Sequence, residues 1–298
     1  MPSWVSEASW PEAWSQIFFS PIVVSGSQYI VYAGGYNVTK FYKYNIDADA
    51  WTELAAPPGV IYGAISMSPD GTKLAAHAVN GSVLFIYSIA GNSWTSSAAA
   101  PSIVGVEATN LYPTVWTDND TIWCEARNAN TTIAKCLKYV VSTDTWSQYT
   151  NSITTGVSNA QAIGITPDGT TLYFGQIAFY YRSYKYVIST DTYSVAVDLP
   201  SSYYFAAASD QNRLWHGADT ATPGSETTRY IDLTDESVSA PSPANSGVTA
   251  GVRAANFPAG FYGTTEVIEH WDTAEPKNWS YITNPSPSPA FMPRVFII

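Results

Sequence analysis

This chain has few residues that carry positive charge or bind a metal. Its 298 residues include 13 Lys and Arg, three His and two Cys, against 24 Asp and Glu. A net charge of −11 argues against nucleic acid as a partner, because neutralising phosphates needs many Lys and Arg. An anionic membrane surface is disfavoured for the same reason. We therefore expect no nucleic acid among the partners.

The sequence also lacks long apolar stretches. No run of 18 apolar residues is present, so we expect no transmembrane helix and no membrane insertion. The segment MPSWVSEASWPEAWSQ has neither the basic nor the apolar region of a secretory signal peptide. We expect a protein found in a virion or the extracellular space after release by another route, with the cytoplasm as the alternative. A mature secreted protein with an added Met fits the sequence equally well.

Cysteines are too few for a disulfide framework or a four-thiolate metal site. Cys124 and Cys136 are the only two, and they flank the polar segment Asn128–Thr131. A symmetric hairpin there would place the two residues opposite each other. Two free buried thiols are our expectation, and a disulfide between them stays open as the alternative.

What the chain has in abundance is aromatic residues, with 21 Tyr and 11 Trp. They recur in one pattern, in which a Tyr on one strand is followed by a polar turn and an aromatic residue seven positions later. The four strong copies are Tyr44 with Trp51, Tyr87 with Trp94, Tyr139 with Trp146, and Tyr186 with Tyr193. Two weaker copies run from Tyr230 to Val238 and from Trp271 to Trp279.

The spacing of these copies defines the architecture. Successive anchor aromatics are 43, 52, 47, 44 and 41 residues apart, and Pro-Asp-Gly hairpin turns at Asp70 and Asp168 precede the second and fourth copies. A period in the forties, filled with short strands, is typical of a four-stranded propeller blade. We predict an all-β fold, a β-propeller of about six four-stranded blades with seven possible, in a single domain spanning 1–298.

The blades and the closure follow from the same pattern. The expected repeats are approximately 20–58, 59–101, 102–152, 153–200, 201–244 and 245–283. We expect the termini, 1–19 and 284–298, to supply closing strands, so that pairing of the N- and C-terminal strands leaves no open edge.

The first copy resembles kelch-type propellers. It has the apolar strand and double glycine of Ile30–Gly35, then Tyr42–Asn45, then Trp51–Leu54 and the trailing prolines Pro57 and Pro58. The other copies lack the double glycine. The resemblance implies a propeller and leaves the activity open, because kelch-like propellers carry many activities.

Recurring aromatic residues are interpreted as packing between blades, whereas non-recurring ones are candidates for exposed contacts. The binding candidates are Tyr180, Tyr181, Tyr203, Tyr204 and Trp215. The interface candidates are Trp4, Trp10, Trp14, Phe291 and Phe296. Trp116 and Trp123 belong to the same non-recurring group.

We expect no catalytic residue, no metal and no cofactor. His77, His216 and His270 fall on predicted strands of different repeats, where a metal site would need them to converge on the axis. Asp118, Asp120 and Glu125 lie close together in the third repeat, where a calcium site is the less favoured interpretation of an acidic turn.

The function expected from these observations is a non-enzymatic structural or interaction propeller. A chain poor in Lys and rich in Ser, Thr, Ala, Tyr and Trp favours a phage or virus particle component, of a tail or capsid, that contacts other protein subunits or a host surface. One alternative is a glycan-binding module that uses loop aromatics. Another is a propeller enzyme of the lactonase, sialidase or lyase type.

Overall fold

The computed structural model is all-β. It describes residues 4–7, 11, 17–20, 23–25, 28–35, 39–45, 47–78, 81–102, 109–128, 133–149, 153–154, 160–166, 168–176, 182–198, 205–209, 213–218, 227–235, 237–239, 265–268 and 279–283. Within these ranges, the only helix is a single 3-10 turn at Ile188–Thr190. No helix there is long and apolar enough to cross a membrane.

The strands form six sheets, and we number them in chain order. The first twelve are β1 (Trp4–Glu7), β2 (Ile17–Phe19), β3 (Val23–Ser25), β4 (Gln28–Gly35), β5 (Phe41–Asn45), β6 (Ala50–Glu53), β7 (Ile61–Met67), β8 (Lys73–Ala78), β9 (Leu84–Ser88), β10 (Ser93–Ser96), β11 (Thr109–Trp116) and β12 (Thr121–Asn128). The rest are β13 (Ile133–Val140), β14 (Thr145–Gln148), β15 (Ile153–Thr154), β16 (Ala160–Ile165), β17 (Thr171–Gln176), β18 (Arg182–Val187), β19 (Thr192–Asp198), β20 (Phe205–Ser209), β21 (Arg213–Ala218), β22 (Thr227–Asp232), β23 (Val238–Ser239), β24 (Thr265–Ile268) and β25 (Trp279–Thr283).

Five of the sheets are antiparallel meanders that follow the chain. Blade 1 has the order β2-β4-β5-β6 with β3 also pairing β4, and blade 2 has β7-β8-β9-β10. Blade 3 has β11-β12-β13-β14 with β15 also pairing β13, blade 4 has β16-β17-β18-β19, and blade 5 has β20-β21-β22-β23. The sixth sheet joins β24 and β25 to the N-terminal β1. The predicted all-β propeller is confirmed.

The first strands of consecutive blades lie side by side. β2 contacts β7, β7 contacts β11, β11 contacts β16 and β16 contacts β20. The pairing of β7, β11 and β16 with their second strands shifts register partway along, as at a β-bulge. Bulges increase local twist, which suits strands that must pack closely around an axis.

The hairpins between the first and second strands of blades 2 and 4 have the same kind of polar turn. Asp70 accepts hydrogen bonds from the hydroxyls of Ser68 and Thr72 at 2.6 and 2.8 Å and from the Thr72 N–H at 3.1 Å. Asp168 makes the same three bonds in blade 4. The following residues, Gly71 and Gly169, have φ of 67° and 70°, which favours glycine. In both hairpins the Asp side chain thus accepts the hydrogen bonds of the turn residues, at the position where Pro-Asp-Gly predicts a turn.

Among the residues that the structure describes, the core lies between the blades, in three seams. The seam between blades 1 and 2 contains Ile30, Tyr32, Phe41, Ile61, Ile65, Leu74, Ala76, Phe85 and Tyr87. The seam between blades 2 and 3 contains Ala75, Leu84, Ile86, Ala100, Leu111, Trp116, Ile122, Cys124, Ala126, Leu137 and Tyr139. The seam between blades 3 and 4 contains Trp123, Cys136, Ile163, Leu172, Phe174 and Tyr186. Neighbouring residues on a strand face opposite seams, so inner strands are apolar on both faces.

The N-terminal strand β1 joins the sixth sheet. β1 runs parallel to β25, with Trp4 opposite Trp279. The expected closing strand around Phe291 and Phe296 and the expected outer strand at Trp14 lie outside the described residues, so closure of the ring stays a prediction.

The anchor predicted for blade 5 is wrong by one position. In blades 1 to 4, the anchor Tyr lies opposite the residue seven positions later, as Tyr87 lies opposite Trp94. In blade 5, Ile231 lies opposite both Leu214 and Val238, so Ile231 and not Tyr230 holds the anchor position. The anchor and the residue seven positions on are therefore aliphatic in this blade.

Cys124 and Cys136 are free, buried thiols. Glu125 is the residue opposite Cys136, and Leu137 is opposite Cys124, so the cysteines are offset by one position. Because successive side chains on a strand point to opposite faces, the two thiols enter different seams. The alternative of a disulfide is excluded by this register.

Candidate functional site

The recurring aromatic pairs stack across the third and fourth strands of each blade. The members of the four pairs lie directly opposite one another. Their ring centroids are 4.7 Å apart for Tyr44 and Trp51, 4.9 Å for Tyr87 and Trp94, 4.8 Å for Tyr139 and Trp146, and 4.6 Å for Tyr186 and Tyr193. Such distances are those of favourable aromatic contacts, and each pair closes its hairpin.

The turn inside each pair holds an acidic or amide residue in a left-handed conformation. Asp49, Asn92, Asp144 and Asp191 have φ of 48°, 44°, 51° and 50°. Each accepts a hydrogen bond from the hydroxyl of the anchor Tyr five positions earlier, at 2.7, 2.7, 2.8 and 2.7 Å respectively. Asn and Asp tolerate this backbone better than other residues with a side chain. The repeat is therefore a Tyr, an Asp or Asn, and an aromatic residue at fixed spacing.

At the seam between blades 1 and 2, this unit binds the preceding blade. Trp94 Nε1 donates a hydrogen bond of 2.9 Å to the carbonyl of Ala55, just after β6. The N–H of Ala55 donates to Asn92 Oδ1 at 2.9 Å. Both backbone groups of one residue in blade 1 are thus bonded by blade 2, and we call this two-bond arrangement the clasp.

The seam between blades 2 and 3 has the same clasp one blade further on. Trp146 Nε1 donates to the carbonyl of Ala98 at 2.8 Å. The N–H of Ala98 donates to Asp144 Oδ1 at 2.6 Å. In both clasps the bonded Ala lies four residues after the Trp of its own blade. The outer strands of blades 1, 2 and 3 are therefore joined to one another by side-chain to backbone hydrogen bonds.

The protonation states match these bonds. Burial, and secondarily Tyr32, raises the pKa of Tyr87 to about 12. Burial, followed by the bond to Asp144, raises the pKa of Tyr139. The Ala98 N–H, followed by the Tyr139 hydroxyl, lowers the pKa of Asp144. At neutral pH both tyrosines therefore donate, and Asp144 accepts as a carboxylate.

Blade 4 carries a different side chain at the Trp position. The hydroxyl of Tyr193 donates to Cys136 Sγ at 3.1 Å, inside the seam between blades 3 and 4. Burial raises the pKa of the Cys136 thiol well above its usual value. Glu125 is buried and lies on the face of its sheet shared with Cys136. This seam therefore has a Tyr–Cys hydrogen bond at the position where each of the other two seams has a Trp that donates to a backbone carbonyl.

Around the axis, one polar contact joins first strands. The hydroxyls of Ser66 in β7 and Thr114 in β11 are 2.5 Å apart. At the end of β11, Trp116 is buried, and its Nε1 has no hydrogen-bond partner among the described residues. Trp123 is buried as well. The expectation that these two non-recurring tryptophans are exposed is therefore wrong, because both faces of β11 and β12 pack into seams.

Most of the predicted binding and interface residues lie outside the described ranges. These are Tyr180, Tyr181, Tyr203, Tyr204, Trp10, Trp14, Phe291, Phe296 and the repeat residue Trp271. Trp215 lies in β21 opposite Tyr230, and Trp4 lies in β1 opposite Trp279. The structure thus gives the backbone position of two of the ten candidates.

Among the acidic candidates, Asp118 and Asp120 lie in one turn and Glu125 lies in the strand that follows it. Asp118 accepts from the N–H groups of Asp120 and Thr121, whereas Asp120 accepts from Ser142. Glu125 is buried in β12, away from this turn. Across the described part of the chain, no three His, Cys, Asp or Glu residues form a group that could hold a metal ion. The acidic turn of blade 3 is a hydrogen-bonded turn.

The sequence matches no protein-family model and no curated protein sequence. Its structure is similar to those of many solved protein chains, of which 913 match. A chain in the crystal structure of a nidogen/laminin complex matches with a TM-score of 0.54 at 11% identity, over 74% of this chain and 77% of that one.

A second similar structure is hydrazine synthase of Kuenenia stuttgartiensis, with a TM-score of 0.51 at 12% identity. The match covers 72% of this chain and 64% of that one, so this chain spans less than two thirds of its length. At such low identity, these similarities show the fold alone. The chain is a β-propeller.

Proposed function

We propose that this protein is a non-enzymatic interaction propeller that forms part of a larger protein assembly. The clasp carries the proposal. Side chains that suit catalysis or ligand binding, such as Asp144, Tyr139 and Trp146, are committed to joining one blade to the next. Blades held together in this way form a scaffold that can present loops and termini to other subunits.

A phage or virus particle is the assembly that the composition favours, and the proposed location is accordingly a virion or the extracellular space. The chain is acidic, has only 12% charged residues and is rich in aromatic residues. Aromatic residues are enriched in protein interfaces, whereas charged residues are depleted at their centres. One structurally similar chain was solved in a nidogen/laminin complex, which is consistent with a role of such a fold in protein contacts. The kelch-like first repeat fits the same kind of role.

The proposed contacts are the aromatic termini, with Trp4, Trp10 and Trp14 at one end and Phe291 and Phe296 at the other. Native mass spectrometry of the protein purified from its source tests the proposal. We expect a mass far above the 32.3 kDa of the chain, with other subunits present. A monomer of 32.3 kDa without partners would contradict it. Phe296→Ala should weaken the association, whereas Ser288→Ala in the same segment should leave it unchanged.

Glycan binding is a second proposed function, favoured by the position of Tyr203 and Tyr204. In the sequence they lie between Asp198, where β19 of blade 4 ends, and Phe205, where β20 of blade 5 begins. Loops between blades are variable positions on a fixed scaffold, and Tyr rings stack on sugar faces. Screening on a glycan array tests this function. We expect hits that are lost in Tyr203→Ala and Tyr204→Ala and kept in Ser201→Ala, and an array without hits would exclude the function.

A further inference from the structure

The two free cysteines lie in two different seams, so the reactivity of each thiol measures how readily its own seam opens. Cys124 packs in the seam between blades 2 and 3, together with Leu137 and Tyr139. Cys136 packs in the seam between blades 3 and 4, together with Phe174 and Tyr186. Both thiols are fully buried, so neither reacts unless its seam opens.

The seams differ in how the outer strands are joined. Between blades 2 and 3, the Trp146 indole N–H donates to a backbone carbonyl, that of Ala98. Between blades 3 and 4, the residue in the Trp position is Tyr193. A phenol has one donor hydrogen, and here it goes to Cys136 Sγ, a weak acceptor. Tyr193 therefore has no hydrogen left to donate to the backbone of blade 3.

The interior of the seam between blades 3 and 4 holds the buried carboxyl group of Glu125, on the face shared with Cys136. The corresponding position in blade 2 is His77, which is buried on the face shared with Leu84, in the seam between blades 2 and 3. Both seams therefore hold a buried polar residue, and the hydrogen bond between the outer strands is what distinguishes them.

We propose that the seam between blades 3 and 4 is the weak joint of the ring and opens locally before the seam between blades 2 and 3. Local openings with free energies below that of global unfolding are a general property of folded proteins. In this ring the opening has a defined position. It separates a clasped unit of blades 1 to 3 from blade 4.

Thiol modification under native conditions tests the proposal in the unaltered protein. Iodoacetamide is added, the reaction is sampled over time, and each thiol is followed by mass spectrometry after cleavage at Arg127, which places Cys124 and Cys136 in separate peptides. We expect Cys136 to react about tenfold faster than Cys124, which corresponds to one net hydrogen bond. Equal rates, or faster reaction of Cys124, would overturn the proposal.

A matched variant places a Tyr, the residue found in the seam between blades 3 and 4, at the corresponding position between blades 2 and 3. Trp146→Tyr gives the seam between blades 2 and 3 a phenol in place of the indole. We expect it to raise the reaction rate of Cys124 about tenfold and to leave that of Cys136 unchanged. An equal increase for both thiols would show general destabilisation and would overturn the assignment of separate seams. The comparison within the unaltered protein stands whether or not this variant folds.

Discussion

The seam between blades 1 and 2 and the seam between blades 2 and 3 make the same clasp with one chemical difference. Asn92 accepts from the Ala55 N–H in the first, and Asp144 accepts from the Ala98 N–H in the second. Their φ angles are 44° and 51°, and each also accepts from its anchor Tyr. The position therefore requires a short side chain with an acceptor oxygen and a left-handed backbone, and it does not require a charge.

Removal of the Trp side chain from either clasp should have the largest effect on the free energy of unfolding. Trp94→Ala loses both the ring stacked on Tyr87 and the bond to Ala55, so we expect the free energy of unfolding to fall by about 3 kcal/mol. Trp94→Phe keeps a ring and loses the donor, so we expect a loss of about 1 kcal/mol. Urea denaturation measures both, with Ser96→Ala on the same strand as the control. An equal loss in the Phe and Ala variants would contradict the separate contribution of the ring.

Substitution of Asn92 separates the side-chain bonds from the backbone requirement. Asn92→Ala removes the acceptor for Tyr87 and Ala55 and places Ala at a φ of 44°, so we expect a loss of about 2 kcal/mol. Asn92→Gly removes the same bonds but accepts this φ, so it should lose about 1 kcal/mol less. Chemical denaturation of the two variants gives the difference. If Gly were no better than Ala, backbone strain would not contribute at this position.

Replacing Asp144 by Asn, the residue at the same position of the other clasp, tests whether this position needs a charge. Asp144→Asn keeps an oxygen for both Ala98 and Tyr139, so thermal stability at neutral pH should stay close to that of the unaltered protein. Asp144→Ala should be clearly less stable, because both bonds are lost. If the Asn and Ala variants melted together, the charge of Asp144 would matter more than its geometry, contrary to the comparison.

The smallest expected effect is on the pH dependence. The folded protein lowers the pKa of Asp144, so its contribution to stability is present above the unfolded pKa of about 3.9 and is lost as pH falls through the lower folded pKa. Asp144→Asn should remove the loss of stability that protonation of Asp144 causes at acid pH. Asn92→Asp should add a similar loss. The urea midpoint measured between about pH 2 and pH 6 shows both. An acid profile unchanged by both substitutions would contradict the role of Asp144.

The sequence was informative about strands and much less so about the clasp. The seven-residue spacing from Tyr87 to Trp94 reflects a local hairpin, so it is visible in the sequence. The bonds to Ala55 join residues 37 and 39 positions apart, and nothing in a single repeat indicates them. The sequence shows Asn92 only as one polar residue in a polar turn and does not predict its left-handed backbone conformation.

Two errors have definite physical causes. Tyr230 was preferred as an anchor because it is aromatic, but the register is set by the pairing of Leu214 with the neighbouring Ile231. Trp116 and Trp123 do not recur, which favours surface positions, yet strands between two seams bury both faces. The first of the two glycines, Gly34, also has a local reason, because a Cβ there would lie 2.9 Å from Ile61 Cδ1 of blade 2.

Amide hydrogen exchange at Ala98 tests the clasp most directly. Ala98 is exposed and lies beyond the end of β10, so its N–H would exchange quickly if it were bonded only to water. We predict slow exchange in the unaltered protein, because Asp144 of the next blade accepts its hydrogen bond, and fast exchange in Asp144→Gly. Fast exchange of Ala98 in the unaltered protein would contradict the claim that side chains of one blade hold the backbone of the preceding one.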